Sequence, residues 1–170
     1  HVRLGLSRVD VLGVLLVAGV TVAAYWKTIR YPFIQDDWAI IELFAVRFPD
    51  FDEWLFFHDN FFPQEESLFY RPLGYNFLLL LERTFGLNEL GFHSIHIALH
   101  FGAALVVVGI ARRLTGDRLV AWVVGALTAG AVIVRLFPSL WMVGSFDIVA
   151  VFFFLLALLL FMRGRIAVAA

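Results

Sequence analysis

Four apolar runs, each near the length of a membrane span, place the strongest constraint on this chain. They cover residues 11–26, 91–111, 119–136 and 143–162. A helix needs about 20 mostly apolar residues to cross the hydrocarbon core, where it satisfies its own backbone hydrogen bonds. With 62% hydrophobic and 16% charged residues, the composition also lies far from that of soluble proteins. We therefore predict an all-α fold, a polytopic bundle of four transmembrane helices that forms one module over residues 1–170.

The distribution of charge predicts the orientation of this bundle. Arginines cluster before the first span, between the second and third, and after the fourth: Arg3, Arg8, Arg112, Arg113, Arg118, Arg163 and Arg165. Short cytoplasmic loops carry an excess of Lys and Arg, so these clusters should share the cytoplasmic side. Residues 27–90 hold eleven Asp and Glu against five Lys and Arg, which is typical of an outer loop. We therefore expect an integral protein of a bacterial inner (plasma) membrane. Both termini should lie in the cytoplasm, with residues 27–90 outside.

A fifth apolar segment, residues 72–86, is shorter and contains Glu82 and Arg83. If it crossed the membrane, the arginine clusters would fall on opposite sides, so we predict an interfacial helix there. The run 11–26 has a second interpretation as a secretory signal, because Arg8 precedes it and small residues end it. The absence of cysteine excludes disulfides and thiolate metal or redox sites. Because the chain opens at His1 and ends in IAVAA, we expect it to be part of a longer protein.

Two adjacent carboxylates stand in an apolar setting ten residues after the first span. They are Asp36 and Asp37 in the stretch FIQDDWAII. Near the outer membrane surface, a carboxylate can take a proton from a hydroxyl or coordinate a hard divalent cation such as Mg²⁺ or Mn²⁺. The alternative is a helix start, because acidic residues are favoured in the first turn of a helix.

A third acid, Asp147, lies near the outer end of the fourth predicted span in WMVGSFDIVAVFF. A charge at the centre of a span costs about 2.5–3.5 kcal/mol on insertion scales and less near its ends, so such groups usually face a cavity or a partner. Asp36, Asp37 and Asp147 are therefore candidates for one outward-facing catalytic or metal site. Arg135 is a possible counter-charge, and snorkelling to the headgroups explains it equally well.

The second predicted span opens with three histidines on one helical face, His93, His96 and His100. Their spacing suits a metal, a haem or a chlorin, and it equally suits hydrogen bonds to neighbouring helices. Arg71 precedes Pro72, a residue that favours the first position of a helix. A guanidinium at this depth can bind a lipid phosphate, or it can simply snorkel to the headgroups.

Taken in order, these segments resemble the N-terminal part of the polytopic glycosyltransferases of the C-type fold. The segments are the first span, FIQDDWAII, RPLGYNF, GFHSIHIALHFGAALVVVGIARRLTG and FPSLWMVGSFDIVAVFFFLLAL. The resemblance covers nearly the whole chain and rests on order and spacing. It is closest to the protein mannosyltransferase-like and lipid A aminoarabinose transferase-like branches.

The resemblance implies transfer of a sugar from a polyprenyl-phosphate carrier to an acceptor at the non-cytoplasmic face, with inversion. It implies that Asp36 or Asp37 serves as base or metal partner, and that Asp147 contributes a second acid to the same site. Arg71 matches the basic residue near the lipid phosphate. The implied partners are the bilayer and the lipid-linked sugar, with no nucleic acid.

Two other interpretations follow from the small number of spans, because members of these families have many more. The chain can be a non-catalytic subunit of a larger membrane complex that retains the module as a scaffold. In that case His96 and His100 are candidates to contact a cofactor or pigment. A transporter or channel is a weaker third interpretation, because four spans without broken helices offer no evident pathway.

Overall fold

The structure is a computed structural model that describes residues 7–34, 36–47, 72–131 and 144–164, without the side chains of 36, 43–47, 72 and 145. This part of the chain contains helices and no strands, which confirms the all-α prediction for it. The elements are α1 (Arg8–Tyr25), a 3-10 helix (Thr28–Arg30), α2 (Asp36–Arg47), α3 (Pro72–Phe85), α4 (Glu89–Thr115), α5 (Arg118–Gly130) and α6 (Ser145–Met162).

Two helices within the described residues are long and apolar enough to cross a membrane, α1 and α4. At a rise of 1.5 Å per residue, the 27 residues of α4 extend about 40 Å, more than the hydrocarbon core of about 30 Å. The apolar helix α5 and the apolar stretch Phe146–Met162 of α6 are shorter. The predicted third and fourth spans, 119–136 and 143–162, extend partly outside the described residues, so the four-span bundle stays a prediction.

Helices α1 and α5 lie side by side and run in the same direction. Gly13 faces the ring of Trp122, and about two turns further along both helices Val20 faces Gly130. A Cβ atom at Gly13 would overlap the Trp122 indole, whereas Gly19 on the same helix has open space around it. The close approach of α1 to α5 therefore depends on the missing side chain at Gly13.

Helices α4 and α6 also share one direction, opposite to that of α1 and α5. Gly102 faces Phe152, and Gly109 faces Leu159 seven residues further along both helices. The constant offset of the two pairs shows that the helices are parallel. The chain thus alternates in direction through α1, α4, α5 and α6, and the short α4–α5 connection joins two antiparallel neighbours.

The turn between α4 and α5 is the tightest helix connection in the described chain. Gly116 has a φ of 69°, a left-handed conformation that glycine adopts at helix C-termini without a steric penalty. Asp117 follows as the N-cap of α5, where its carboxylate accepts hydrogen bonds from the backbone N–H groups of Leu119 and Val120 at 2.7 and 3.1 Å. This Gly-Asp pair holds α4 and α5 as antiparallel neighbours.

Arginines collect at the end of the bundle that contains this turn. Arg112 forms an ion pair with Asp10 of α1 at 3.3 Å. Arg113 donates a hydrogen bond to the carbonyl of Met162 at 2.8 Å, which satisfies a free carbonyl at the C-terminus of α6. The start of α1 and the end of α6 therefore meet the α4–α5 turn, and we call this region the arginine end.

The core has two parts. One lies within the bundle and joins α1, α4 and α5 through Val17, Ala104, Val108, Ala111, Ala121, Trp122 and Ala129. The other lies at the end opposite the arginine end, where α2 and α3 cover the first turns of α4 and α6 through Phe33, Ile40, Tyr75, Leu78, Leu79, Leu81, Phe92 and Phe146. Large apolar side chains also face outwards on α1, α5 and α6, including Leu12, Leu15, Leu127, Phe154 and Phe161. The bundle is thus apolar inside and outside.

We expect Gly13→Ala to weaken the bundle by about 1–3 kcal/mol, because the added methyl group overlaps the Trp122 ring. The measurement is thermal unfolding of the purified protein in a mild detergent. Gly19→Ala is the matched control, since it makes the same change in the same helix where there is space, and alanine favours the helix. Equal melting temperatures for both variants would contradict the packing described here.

Candidate functional site

The candidate site lies at the end of the bundle opposite the arginine end. It consists of residues 31–34, the first turn of α2, helix α3, the first two turns of α4 and the first turn of α6. The second core cluster lies beneath it and brings these elements together. Three of the sequence-predicted site residues with described side chains, Asp37, His93 and Asp147, lie in these elements.

Asp37 is buried, with only 1% of its surface exposed. Its Oδ2 accepts a hydrogen bond from the backbone N–H of Ile34 at 2.9 Å, and its own N–H donates to the Ile34 carbonyl at 3.0 Å. An acid in the first turn that reaches back to the backbone N–H three residues earlier is one half of a capping box. Asp37 therefore closes the turn that opens α2. Asp36 begins that helix, and its side chain lies outside the described residues.

Aromatic rings hold this acidic turn against α4. Phe33 meets Phe92 edge-on, with ring centroids 5.3 Å apart, and meets Trp38 in the same way at 5.7 Å. The Trp38 indole also donates a hydrogen bond to the Phe33 carbonyl at 3.1 Å. Edge-to-face pairs of this kind add about 0.5–1.5 kcal/mol to the burial of the rings. The segment before α2 is therefore fixed by both ring packing and backbone hydrogen bonds.

His93 connects the same segment to α4. Its Nε2 lies 2.9 Å from the carbonyl oxygen of Tyr31, and the residue is 2% exposed. A carbonyl oxygen can only accept, so Nε2 carries the hydrogen in this contact. His93 thus donates a hydrogen bond to a segment 62 residues earlier in the chain.

The other two histidines lie deeper along the same face of α4, and both are buried. The His96 ring stacks on Phe77 of α3, with centroids 6.4 Å apart and planes 24° apart. His100 Nε2 lies 3.1 Å from the Ala129 carbonyl of α5 and 3.3 Å from the Tyr25 hydroxyl of α1. By the same argument, His100 Nε2 carries the hydrogen that it donates to Ala129. The sequence spacing predicted that the three histidines share one face of the helix. In the structure, each of them contacts a different neighbouring element.

Asp147 lies in the first turn of α6, where it is exposed and where the helix dipole favours a negative charge. Its neighbour Phe146 is buried against α3, edge-on to Tyr75 with ring centroids 4.7 Å apart and in close contact with Gly74. The start of α6 is therefore packed onto the start of α3. Asp37 and Asp147 lie at the same end of the bundle, in elements that contribute to one apolar cluster.

Arg71 and Arg135 lie outside the described residues, so their predicted roles stay predictions. Among the described residues, no group of three or more His, Asp or Glu side chains is placed to hold a metal ion. The metal assignment of Asp36, Asp37 and Asp147 accordingly stays a prediction as well, because it includes a side chain that is not described.

Sequence reasoning did not assign a role to Tyr25 or to the carbonyl of Tyr31. Both residues stand where the first apolar run gives way to polar sequence, a position at which a tyrosine combines an apolar ring with a polar contact. That pattern marks them as boundary residues. Their histidine partners lie 75 and 62 residues away and could be identified only from the structure.

Compared with known protein families, with curated proteins and with solved structures, the chain has no match. The glycosyltransferase resemblance therefore rests on the sequence segments quoted above.

We expect Asp37→Ala to destabilise the protein by about 0.5–2 kcal/mol, the usual effect of removing a side chain that caps a helix start. Asp37→Asn should cost less, because its amide oxygen can still accept from the Ile34 N–H. Glu42→Ala is the control, since it removes an exposed acid from the same helix and should change the free energy of unfolding by no more than about 0.5 kcal/mol. Chemical denaturation in detergent gives these values. A loss for Glu42→Ala as large as that for Asp37→Ala would contradict a capping role.

Proposed function

We propose that this chain is a membrane glycosyltransferase, or the N-terminal part of one, that transfers a sugar from a polyprenyl-phosphate carrier to an acceptor at the non-cytoplasmic face. The observation that carries the proposal is the acidic turn Asp36–Asp37, held by hydrogen bonds and ring packing at the end of an apolar helical bundle. An acidic turn at the end of a bundle with an apolar exterior suits a substrate with a lipid tail and a polar head.

The exterior of the bundle supports membrane insertion. Besides the two helices of sufficient length, large side chains on the outside of α1 and α6 are exposed, among them Leu12, Leu15, Phe154 and Phe161. An exposed apolar surface of this extent is unusual for a soluble monomer. Lipid acyl chains are a suitable environment for it, and the same surface can guide a polyprenyl chain.

The two ends of the bundle support the proposed orientation. The arginine end holds Arg112 and Arg113 beside Asp10 and the end of α6, whereas the opposite end holds Asp36, Asp37 and Asp147. Because basic residues favour the cytoplasmic side, the end of the bundle that holds the acids would lie on the non-cytoplasmic side. Transfer at the non-cytoplasmic face would then take place where the acids lie.

The proposed reaction needs a base more than it needs an acid. One carboxylate accepts the proton of the acceptor hydroxyl as its oxygen bonds to the anomeric carbon, and the sugar–phosphate bond breaks on the opposite face. The leaving group is a phosphate that is stable as an anion, so it departs without protonation. Because Asp37 Oδ2 is already bonded to Ile34, we assign Asp36 as the base and Asp37 as the residue that holds the turn.

We assign Arg71 to the departing phosphate, to which a guanidinium can donate two hydrogen bonds. Asp147 would bind the polar part of the acceptor or donor at the edge of the same cluster. A hard cation takes six or more oxygen ligands, and the described carboxylates, one buried and one exposed, do not form a complete set. We therefore derive no step through a metal.

The test is sugar transfer by the full-length protein in lipid vesicles, with a set of labelled polyprenyl-phosphate sugars as donors. We expect Asp36→Asn to lower kcat at least about 100-fold, since a general base typically contributes 10²–10⁴-fold. Glu42→Gln is the matched control and should transfer at the wild-type rate, because Glu42 is an exposed acid on the same helix. Protease protection of each variant confirms insertion.

Equal rates for the wild type, Asp36→Asn and Asp37→Asn in correctly inserted protein would rule out the assignment of the acidic turn. No transfer with any donor, together with stoichiometric copurification of other membrane subunits, would favour the scaffold interpretation instead. An intact mass from the native membrane, compared with the 19.3 kDa of this chain, completes that comparison.

A further inference from the structure

We propose that His93 is a positioning residue for the acidic turn, which it holds in place through its hydrogen bond to the Tyr31 carbonyl. The role rests on the proposed function, because it assigns His93 to the placement of the base Asp36. His93 does not touch the reacting atoms in this proposal. It fixes the backbone that carries them.

The first step of the argument is that α4 is a firm support. It packs against α1, α3, α5, α6 and the 3-10 helix. His93 lies in its second turn and is 2% exposed. The hydrogen bond to Tyr31 is part-buried, and because its donor is shielded from water it restrains its partner more firmly than a fully exposed bond would.

The second step is that the segment after Tyr31 transmits this restraint. Tyr31 has extended backbone angles, φ −75° and ψ 137°, as the residue before a proline prefers. Pro32 then fixes its own φ, and Phe33 is held by Phe92 and by the Trp38 indole. A shift of the Tyr31 carbonyl is therefore passed along the chain rather than absorbed.

The third step is that the turn itself is closed. The two hydrogen bonds between Asp37 and Ile34 join the end of this segment to the first turn of α2. His93 thus restrains the start of the segment that leads to the acidic pair, and Asp37 restrains its end. Because Nε2 of His93 carries the hydrogen in the contact with Tyr31, this nitrogen has no lone pair to offer a metal.

The kinetic test compares His93→Leu with His93→Gln in the full-length protein. Glutamine can place an amide N–H near the position of Nε2, whereas leucine fills space without a donor. We expect His93→Leu to lower kcat about 100-fold, the effect of a misplacement near 1 Å, with the KM for the lipid-linked sugar little changed. His93→Gln should restore most of the rate. Gly13→Ala is the control for instability alone, since it weakens the bundle away from the turn.

A second readout is independent of activity. The chain has no cysteine, so a single Cys at position 34 reports on the turn, where the Ile34 side chain is 39% exposed. A spin label there should become more mobile in His93→Leu and remain as in the wild type in His93→Gln. A label at position 114, at the far end of α4 where Leu114 is 72% exposed, should not change.

These readouts separate the two proposals. Wild-type kcat and an unchanged label in His93→Leu would overturn the positioning role while sugar transfer stands. A reduced kcat that His93→Gln does not restore would also overturn it, because the hydrogen bond would then be irrelevant. If the wild type transfers no sugar, the proposed function fails, and the mobility of the label at position 34 alone decides whether His93 holds the turn.

Discussion

The packing of α4 against its neighbours is the interaction on which the rest of this structure depends. Between apolar helices in a lipid environment there is little hydrophobic drive, so association relies on close contact and on hydrogen bonds between helices. Helix α4 supplies both. Val108 and the Ala104 carbonyl lie against Gly125 of α5, where a side chain would not fit, and Gly102 and Gly109 receive Phe152 and Leu159 of α6.

The polar groups of α4 are arranged to connect it with elements that are distant in sequence. His93 bonds the segment before α2, His96 stacks on α3, and His100 bonds α5 beside Tyr25 of α1. An unsatisfied polar group costs more in an apolar interior than at the surface, so each of these contacts also disfavours alternative helix arrangements. One histidine face thus specifies the positions of several elements, whether or not it also has a chemical role.

The local sequence was sufficient to predict the helices, but it was insufficient to predict which elements they contact. The apolar runs predicted helices. Gly116 followed by Asp117 is a sequence pattern typical of the end of one helix and the start of the next. The acid at Asp37 fitted either a helix start or a reactive site, because both interpretations use the same residue type in the same place. Its bond to Ile34 settles the structural half of that question. The bond between His93 and Tyr31 had no local signal, since it joins residues 62 positions apart.

Within the acidic pair, the buried member Asp37 has a structural role. A charged turn at the edge of an apolar cluster needs its backbone donors satisfied, and Asp37 meets that need from a buried position. The bonded oxygen of such a carboxylate is turned towards the backbone and is therefore not presented to a substrate. Adjacent positions of a helix point about 100° apart around its axis, so two neighbouring acids need not share one partner. Under the proposed function, Asp37 would fix the turn while its neighbour Asp36 meets the substrate.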